Sequence, residues 1–94
     1  LDATARGFRA FAKATGGDLR ALAAQARSVP RTPIPVDTIT APTLVLVGEA
    51  DPLASRPEVL ADAIPGARLE VVPGDHLGAV GAPRFREAIV EFLR

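Results

Sequence analysis

The stretch TLVLVGEAD, residues 43–51, decides the fold class of this chain. Residues 43–47 are β-branched or apolar without interruption, which is typical of a strand that is covered on both faces. Parallel strands in sheets with helices on either side have this property. Gly48 ends the strand, and Asp51 follows in the loop. The stretch therefore predicts an α/β fold with a polar loop after a buried strand.

The residues that follow predict a helix, a second strand and a last helix. Ser55 and Glu58 have the S-x-x-E spacing of a capping box, and Pro65-Gly66 ends the helix that they begin. Residues 68–72 alternate charged and apolar side chains, as in a strand with one buried face. Residues 83–93 start with proline and form an amphipathic helix. The apolar faces of the two helices are predicted to contain Val59, Leu60, Ala63 and Ile64 in the first, and Phe85, Ala88, Ile89, Phe92 and Leu93 in the second.

This order of elements constrains the topology. A strand, a helix and a second strand joined by short connections form a βαβ unit, in which the strands are parallel and the crossover is right-handed. Both strands then end at the same edge of the sheet, where open α/β sheets place their functional sites. Asp51 follows the first strand and His76 follows the second. If the strands are neighbours, about 5 Å apart, the two side chains can meet.

An aspartate beside a histidine is an arrangement suited to proton transfer. A carboxylate that accepts a hydrogen bond from one ring nitrogen fixes the tautomer and leaves the other nitrogen to take a proton from a nucleophile. Asp51 is thus predicted to orient the ring and His76 to act as the base. Glycines at 74, 78 and 81 allow sharp turns around His76.

Other roles for these residues stay open at this point. Asp51 precedes Pro52 and also suits ordinary turn chemistry, and a lone histidine is often a loop residue without a catalytic role. Asp75 and Glu49 are rival acids, although Asp75 would have to fold back on its neighbour's ring. A metal site from Glu49, Asp51 and His76 is a weak alternative, since one histidine with scattered carboxylates is a poor ligand set. We expect no metal and no cofactor.

The amino-terminal part predicts two helices and a connector. Asp2 and Asp18 are suitable N-caps for amphipathic helices, the first ended by Gly16-Gly17 and the second extending to residue 28. Prolines at 30, 33, 35 and 42 exclude regular structure from the connector that follows. We therefore divide the chain into a helical segment with its proline-rich connector, residues 1–36, and a βαβα unit, residues 37–94.

Composition excludes several classes of function. Eleven basic and eleven acidic residues balance, so no overall charge favours nucleic acid or anionic lipid as a partner. No apolar run approaches the roughly 20 residues of a membrane span, and the absence of cysteine suits a cytoplasmic protein. The chain starts at Leu1 and has no methionine, so we expect either that residues were removed from its start or that it is a fragment of a longer protein.

From Ile39 onward, the sequence resembles the last portion of α/β-hydrolases. Four motifs in order carry the resemblance: Ile39-x-x-Pro42 through Gly48-x-x-Asp51, Ala61-x-x-Ile64-Pro65-Gly66-Ala67, Gly74-Asp75-His76, and the closing helix Phe85 to Leu93. The resemblance implies that Asp51 and His76 are the acid and histidine of a catalytic triad, in a C-terminal βαβα portion of the sheet preceded by two helices. It also implies a nucleophile on a Gly-x-Ser-x-Gly turn. That turn is absent here, because Ser28 and Ser55 lack flanking glycines.

The expected function is hydrolysis of a small-molecule ester or acyl substrate, with a nucleophile that lies outside these 94 residues. Epoxide, carbon-halogen and carbon-carbon cleavage by other family members stay open. The isolated chain is expected to be inactive, because it lacks the nucleophile and the oxyanion donors. The alternative is a non-catalytic association module. In either case we expect self-association or docking onto the missing N-terminal half, since two strands seldom form a stable sheet alone.

Overall fold

The computed structural model describes residues 2–94 and shows a mixed α/β chain with four α-helices and a two-stranded parallel sheet in that range. Leu1, the first residue of the predicted helical segment, lies outside the described residues. The elements are α1 (Ala3–Ala14), α2 (Leu19–Arg27), β1 (Leu44–Gly48), α3 (Pro57–Ala63), β2 (Arg68–Val72) and α4 (Pro83–Leu93). Short 3₁₀ turns occur at Val36–Thr38 and Gly78–Gly81. Internal contacts divide the chain into two units, one ending at Pro33 and the other spanning Ile34–Arg94.

The unit that ends at Pro33 contains α1 and α2, which contact each other. The predicted caps are confirmed: Asp2 Oδ1 accepts the N–H of Ala5 at 2.7 Å, and Asp18 Oδ1 accepts those of Arg20 and Ala21. Neither helix has a buried residue. None of the helices in the described part of the chain has the length and apolar character needed to cross a membrane.

The sheet in the second unit pairs β1 with β2 in parallel, as predicted. Leu44 lies opposite Arg68 at one end of the pair, and Gly48 lies opposite Val72 at the other. The first strand begins one residue later than expected and includes Gly48. Both strands therefore end at one edge, so the segments containing Asp51 and His76 leave the sheet side by side.

The core of this unit is small and lies between the sheet and the helices that contact it. Both α3 and α4 contact both strands. The buried apolar residues of the described chain are Val45, Ala61, Ile64, Val72, Ala79 and Ala88. Val72 is the largest side chain that is fully buried. Because it closes β2 immediately before the loop of His76, core packing and the position of that loop are linked.

The prediction that the apolar side chains alternating along β2 form a buried face is wrong. Leu69 and Val71 are exposed, with 38% and 48% of their surfaces accessible. Glu70 on the other face is half-buried, because Arg84 of α4 donates to its carboxylate through Nε at 2.7 Å and through a second nitrogen. Arg84 also donates to Glu91, about two turns further along the same face of α4. An ion-pair cluster therefore joins α4 to β2 beside the small apolar core.

The predicted start of α3 also needs correction. Ser55 is not the N-cap; Arg56 occupies that position with φ 53°, and no side chain caps the helix. Pro57 at the first helical position already has the backbone angle of a helix and needs no N–H partner there, so the helix begins without a capping box. Of the predicted apolar face, only Ile64, the C-cap, is buried, whereas Val59, Leu60 and Ala63 are exposed. Ala61, which was not predicted to lie on that face, is the buried residue within the helix.

We predict that Val72→Ala destabilises the second unit by roughly 2 kcal/mol, since the truncation leaves a cavity at a site that is 1% exposed. Val71→Ala, in the same strand but half exposed, should change the free energy of unfolding by about 0.5 kcal/mol or less. Denaturant titration followed by circular dichroism measures both. Equal effects of the two substitutions would show that the core does not lie where the structure places it.

Candidate active site

Asp51 lies in a tight turn directly after β1. Its N–H donates to the carbonyl of Gly48 at 3.1 Å, and its own carbonyl accepts the N–H of Ala54 at 3.3 Å. The side chain takes part as well, because Oδ1 accepts the N–H of Leu53 at 2.8 Å. One carboxylate oxygen therefore fixes the turn, which leaves Oδ2 for another partner.

His76 lies in the turn that follows β2. Gly74 has φ 112°, a left-handed conformation that favours glycine. A Cβ there would lie 2.8 Å from the backbone of Gly78 and Ala79, so the chain also passes too close for a side chain. The 3₁₀ turn Gly78–Gly81, which the sequence did not predict, follows at once. His76 is thus held in a folded turn rather than in an open glycine loop.

Backbone hydrogen bonds join the two loops beyond the strand ends. The N–H of Glu49 donates to the carbonyl of Val72 at 2.8 Å, and the N–H of Ala50 donates to that of Gly74 at 3.0 Å. Gly48 permits this approach, since a Cβ on it would overlap the carbonyl oxygen of Gly74. The pairing of the strands therefore continues into the loops and places the side chains of Asp51 and His76 next to each other.

The structure brings Asp51 and His76 into direct contact. His76 Nδ1 and Asp51 Oδ2 are 2.8 Å apart, a hydrogen-bond distance. The side chain of Asp51 is 8% exposed, whereas that of His76 is 46% exposed. The acid is thus enclosed by protein and the ring is accessible, which is the division expected between an orienting carboxylate and a proton-transferring imidazole.

The electrostatics determine which atom carries the proton. Burial raises the pKa of Asp51, but the N–H of Leu53, the hydrogen bond and charge of His76, and the N–H of Ala54 outweigh it and leave the pKa below the usual value. Asp51 is then ionised at neutral pH and can only accept hydrogen bonds. Nδ1 of His76 must therefore donate. In the neutral ring, Nε2 is then the nitrogen with a lone pair.

The rival acids have other positions. Asp75 Oδ1 accepts the N–H of Gly78 at 2.7 Å, so its carboxylate folds forward along the chain and away from its neighbour's Nδ1. Glu49 has an exposed side chain and contributes its backbone N–H to the pairing of the loops. In residues 2–94, no three histidine or carboxylate side chains are grouped so that they could hold a metal ion.

Neither serine has the flanking glycines of a nucleophile turn. Ser28 is the C-cap of α2, in the other unit, and its hydroxyl donates to the carbonyl of Gln25 at 2.7 Å. Ser55 lies in the loop before α3, one residue ahead of its N-cap.

A cavity of about 520 Å³ on the second unit includes neither Asp51 nor His76. It is lined by Val80, Gly81, Ala82, Pro83, Arg86, Glu87, Val90, Glu91 and Arg94.

Sequence reasoning missed the hydrogen bonds that support the pair. The signal for the Leu53 contact was present, because an aspartate followed by proline often accepts the N–H two residues on. From the sequence, this turn chemistry is an alternative to a role in the pair. The structure shows both at once, with Oδ1 in the turn and Oδ2 on His76.

We predict that Asp51 contributes to acid denaturation. Its lowered pKa means that the unfolded chain binds more protons than the folded one near pH 4, so the stability from this group is present above that range and is lost as the pH falls through the folded pKa. Asp51→Asn should therefore lose less stability than the wild type between about pH 5 and about pH 2. Asp62→Asn, an exposed position on α3, should keep the wild-type slope. Urea titrations across this range measure the difference, and identical slopes for Asp51→Asn and wild type would contradict the prediction.

Comparison with known proteins gives no relative from which to assign this site. No protein-family model, no curated protein and no solved structure matches the chain. Any function of this site therefore has to follow from the chemistry of Asp51, His76 and the residues around them.

Proposed function

We propose that this chain supplies the acid and the base of a hydrolase of the α/β-hydrolase kind, acting on an ester or other acyl compound with a nucleophile from outside the chain. The observation that carries the proposal is the 2.8 Å hydrogen bond between an enclosed carboxylate and an accessible imidazole. Its location supports the same conclusion, since the two side chains follow adjacent parallel strands at their carboxyl ends. The order of acid before histidine along the chain agrees with the resemblance described above.

The proposed roles follow from the chemistry of the pair. Asp51 holds the ring through Nδ1 and stabilises the imidazolium that forms when Nε2 accepts a proton. Nε2 of His76 takes the proton of the nucleophile as it attacks the acyl carbon, and later returns a proton to the leaving group. The half-exposed ring suits this exchange, because a nucleophile from another segment can reach it.

The nucleophile is the missing part of the proposed site. Ser28 and Ser55 occupy the end of α2 and the loop before α3. Donors for an oxyanion have to come from elsewhere as well, and they supply a large share of the rate in acyl transfer. We therefore assign the activity to a protein in which further residues complete this edge of the sheet, and we expect the 94 residues alone to be inactive.

The test uses the protein encoded by the complete reading frame that contains this sequence. Hydrolysis of a chromogenic short-chain ester should fall at least about 10³-fold in kcat/KM in His76→Ala, since the general base is lost. Asp51→Asn should lose at least about 10²-fold, because the carboxylate no longer fixes the Nδ1 tautomer.

Glu49→Gln is the matched control, a nearby carboxylate with an exposed side chain, and it should retain activity within about twofold of wild type. Full turnover in His76→Ala would exclude the proposed role of this residue. Equal losses of activity in Glu49→Gln and Asp51→Asn would show that Asp51 is not the specific acid partner of His76.

A second candidate function, as an association module without turnover, is favoured by the surface of the sheet unit. Leu69 and Val71 of β2, Leu53 and Leu77 in the loops, and Leu93 of α4 are exposed. Within the described residues, each strand also pairs along one edge only, so both edges of the sheet present unpaired backbone groups. A second copy of the chain or the remaining part of the protein would cover these surfaces.

We predict that the isolated chain self-associates at micromolar concentration, because its small core leaves much apolar surface in water. Sedimentation velocity over a concentration series measures this directly. A species that stays monomeric and folded at all concentrations would contradict it. Leu69→Lys on the exposed face of β2 should weaken association, whereas Leu22→Lys in the other unit serves as control.

A further inference from the structure

Asp75 has a carboxylate that the Asp51–His76 pair does not use. Its Oδ1 accepts the N–H of Gly78 at 2.7 Å, and its carbonyl oxygen accepts the N–H of Ala79 at 2.9 Å. These two bonds close a turn over residues 75–79, and His76 is the first residue inside it. The side chain immediately before the histidine therefore determines how the histidine's own backbone is folded.

The other end of this turn is attached to the loop of the acid. The N–H of Ala50 donates to the carbonyl of Gly74 at 3.0 Å, one residue before Asp75. A Cβ on Gly48 would lie 2.9 Å from the carbonyl oxygen of Asp75, so the two loops are closely packed there. The backbone at residue 74 is thus fixed by the sheet, while the backbone after residue 76 depends on the bonds made by Asp75.

We propose that Asp75 is a positioning residue for His76: its carboxylate, by holding the N–H of Gly78, keeps the imidazole Nδ1 within hydrogen-bond distance of Asp51. The inference deepens the proposed function and depends on it for its catalytic meaning. The distance leaves little tolerance, because a pair at 2.8 Å that moves apart by about 1 Å is no longer hydrogen-bonded. Misplacement of a catalytic group on that scale can cost about 10²-fold in rate.

Asp75 could act on His76 in two ways: through a carboxylate oxygen that accepts a hydrogen bond in the turn, or through its negative charge near the ring. If Asp75 acts by folding the turn, an asparagine at this position can still accept from the N–H of Gly78 through its Oδ1. If it acts by its charge on the neighbouring ring, asparagine fails as alanine does. The conservative substitution therefore separates positioning from a direct electrostatic effect.

The chain provides a specific probe, because His76 is its only histidine. In the ¹⁵N-labelled full chain, exchange of the His76 Nδ1 proton with water reports how often the bond to Asp51 opens. Asp75→Ala should accelerate this exchange by roughly tenfold or more, since a hydrogen bond to a charged acceptor is lost from the turn. Asp75→Asn should stay within about threefold of wild type, and Asp62→Ala, which removes an exposed carboxylate of α3, should match wild type.

A second substitution breaks the same contact from the other side. A Cβ on Gly78 would lie 2.9 Å from Asp75 Oδ1, so Gly78→Ala should displace the carboxylate and accelerate exchange as Asp75→Ala does. If Asp75→Ala does not fold, Gly78→Ala decides the question. Denaturant titration of each variant shows whether the faster exchange occurs in a chain that is still folded.

The outcomes separate this inference from the proposed function. If Asp51→Asn abolishes the protected Nδ1 proton while Asp75→Ala and Gly78→Ala leave its exchange at the wild-type rate, the pair exists and Asp75 does not position it. If Asp75→Asn is as fast as Asp75→Ala, the charge rather than the turn matters, and the proposal is wrong. If the wild-type chain has no proton on Nδ1, the pair itself is absent and both proposals are overturned.

Discussion

The parallel pairing of β1 with β2 is the constraint on which the rest of this site depends. Two strands joined by a helix and paired in parallel must end at the same edge, so residues that follow them in sequence become neighbours in space. The pairing continues past the strands through the N–H groups of Glu49 and Ala50. Glycine at position 48 allows this, since any side chain there would collide with the adjoining loop. Asp51 and His76, which are 25 residues apart in the sequence, are therefore joined by a direct hydrogen bond.

The two oxygens of Asp51 explain how a turn residue can also bind a histidine. Oδ1 accepts the N–H of Leu53 and fixes the loop, while Oδ2 accepts from the ring of His76. Because the turn restricts the orientation of the carboxylate, less conformational entropy is lost in forming the pair. The same hydrogen bonds hold the pKa of Asp51 below its usual value against the opposing effect of burial. Local backbone chemistry and the electrostatics of the pair therefore reinforce each other.

The sequence predicted the order of helices and strands, the parallel sheet and the contact of Asp51 with His76, because these follow from periodicity and chain topology. Predictions from the sequence failed where the burial or bonding of a residue depends on which other parts of the chain lie next to it. Leu69 and Val71 alternate correctly for a buried face, but alternation does not show whether anything covers that face. Ser55 and Glu58 have capping-box spacing, yet Arg56 and Pro57 start the helix, because a proline at the first position needs no N–H partner. The role of Asp75 in the turn was hidden by its position beside His76, since adjacency gave no indication that its carboxylate bonds forward to Gly78.

Asp51 holds the single histidine of the chain through Nδ1. A long-range ¹H–¹⁵N correlation spectrum of the unmodified chain above the pH at which the ring is protonated reports directly which nitrogen carries the proton. Nδ1 should carry the proton and Nε2 should not, because the ionised carboxylate of Asp51 can only accept. A spectrum with the proton on Nε2, or with both tautomers in rapid exchange, would contradict it.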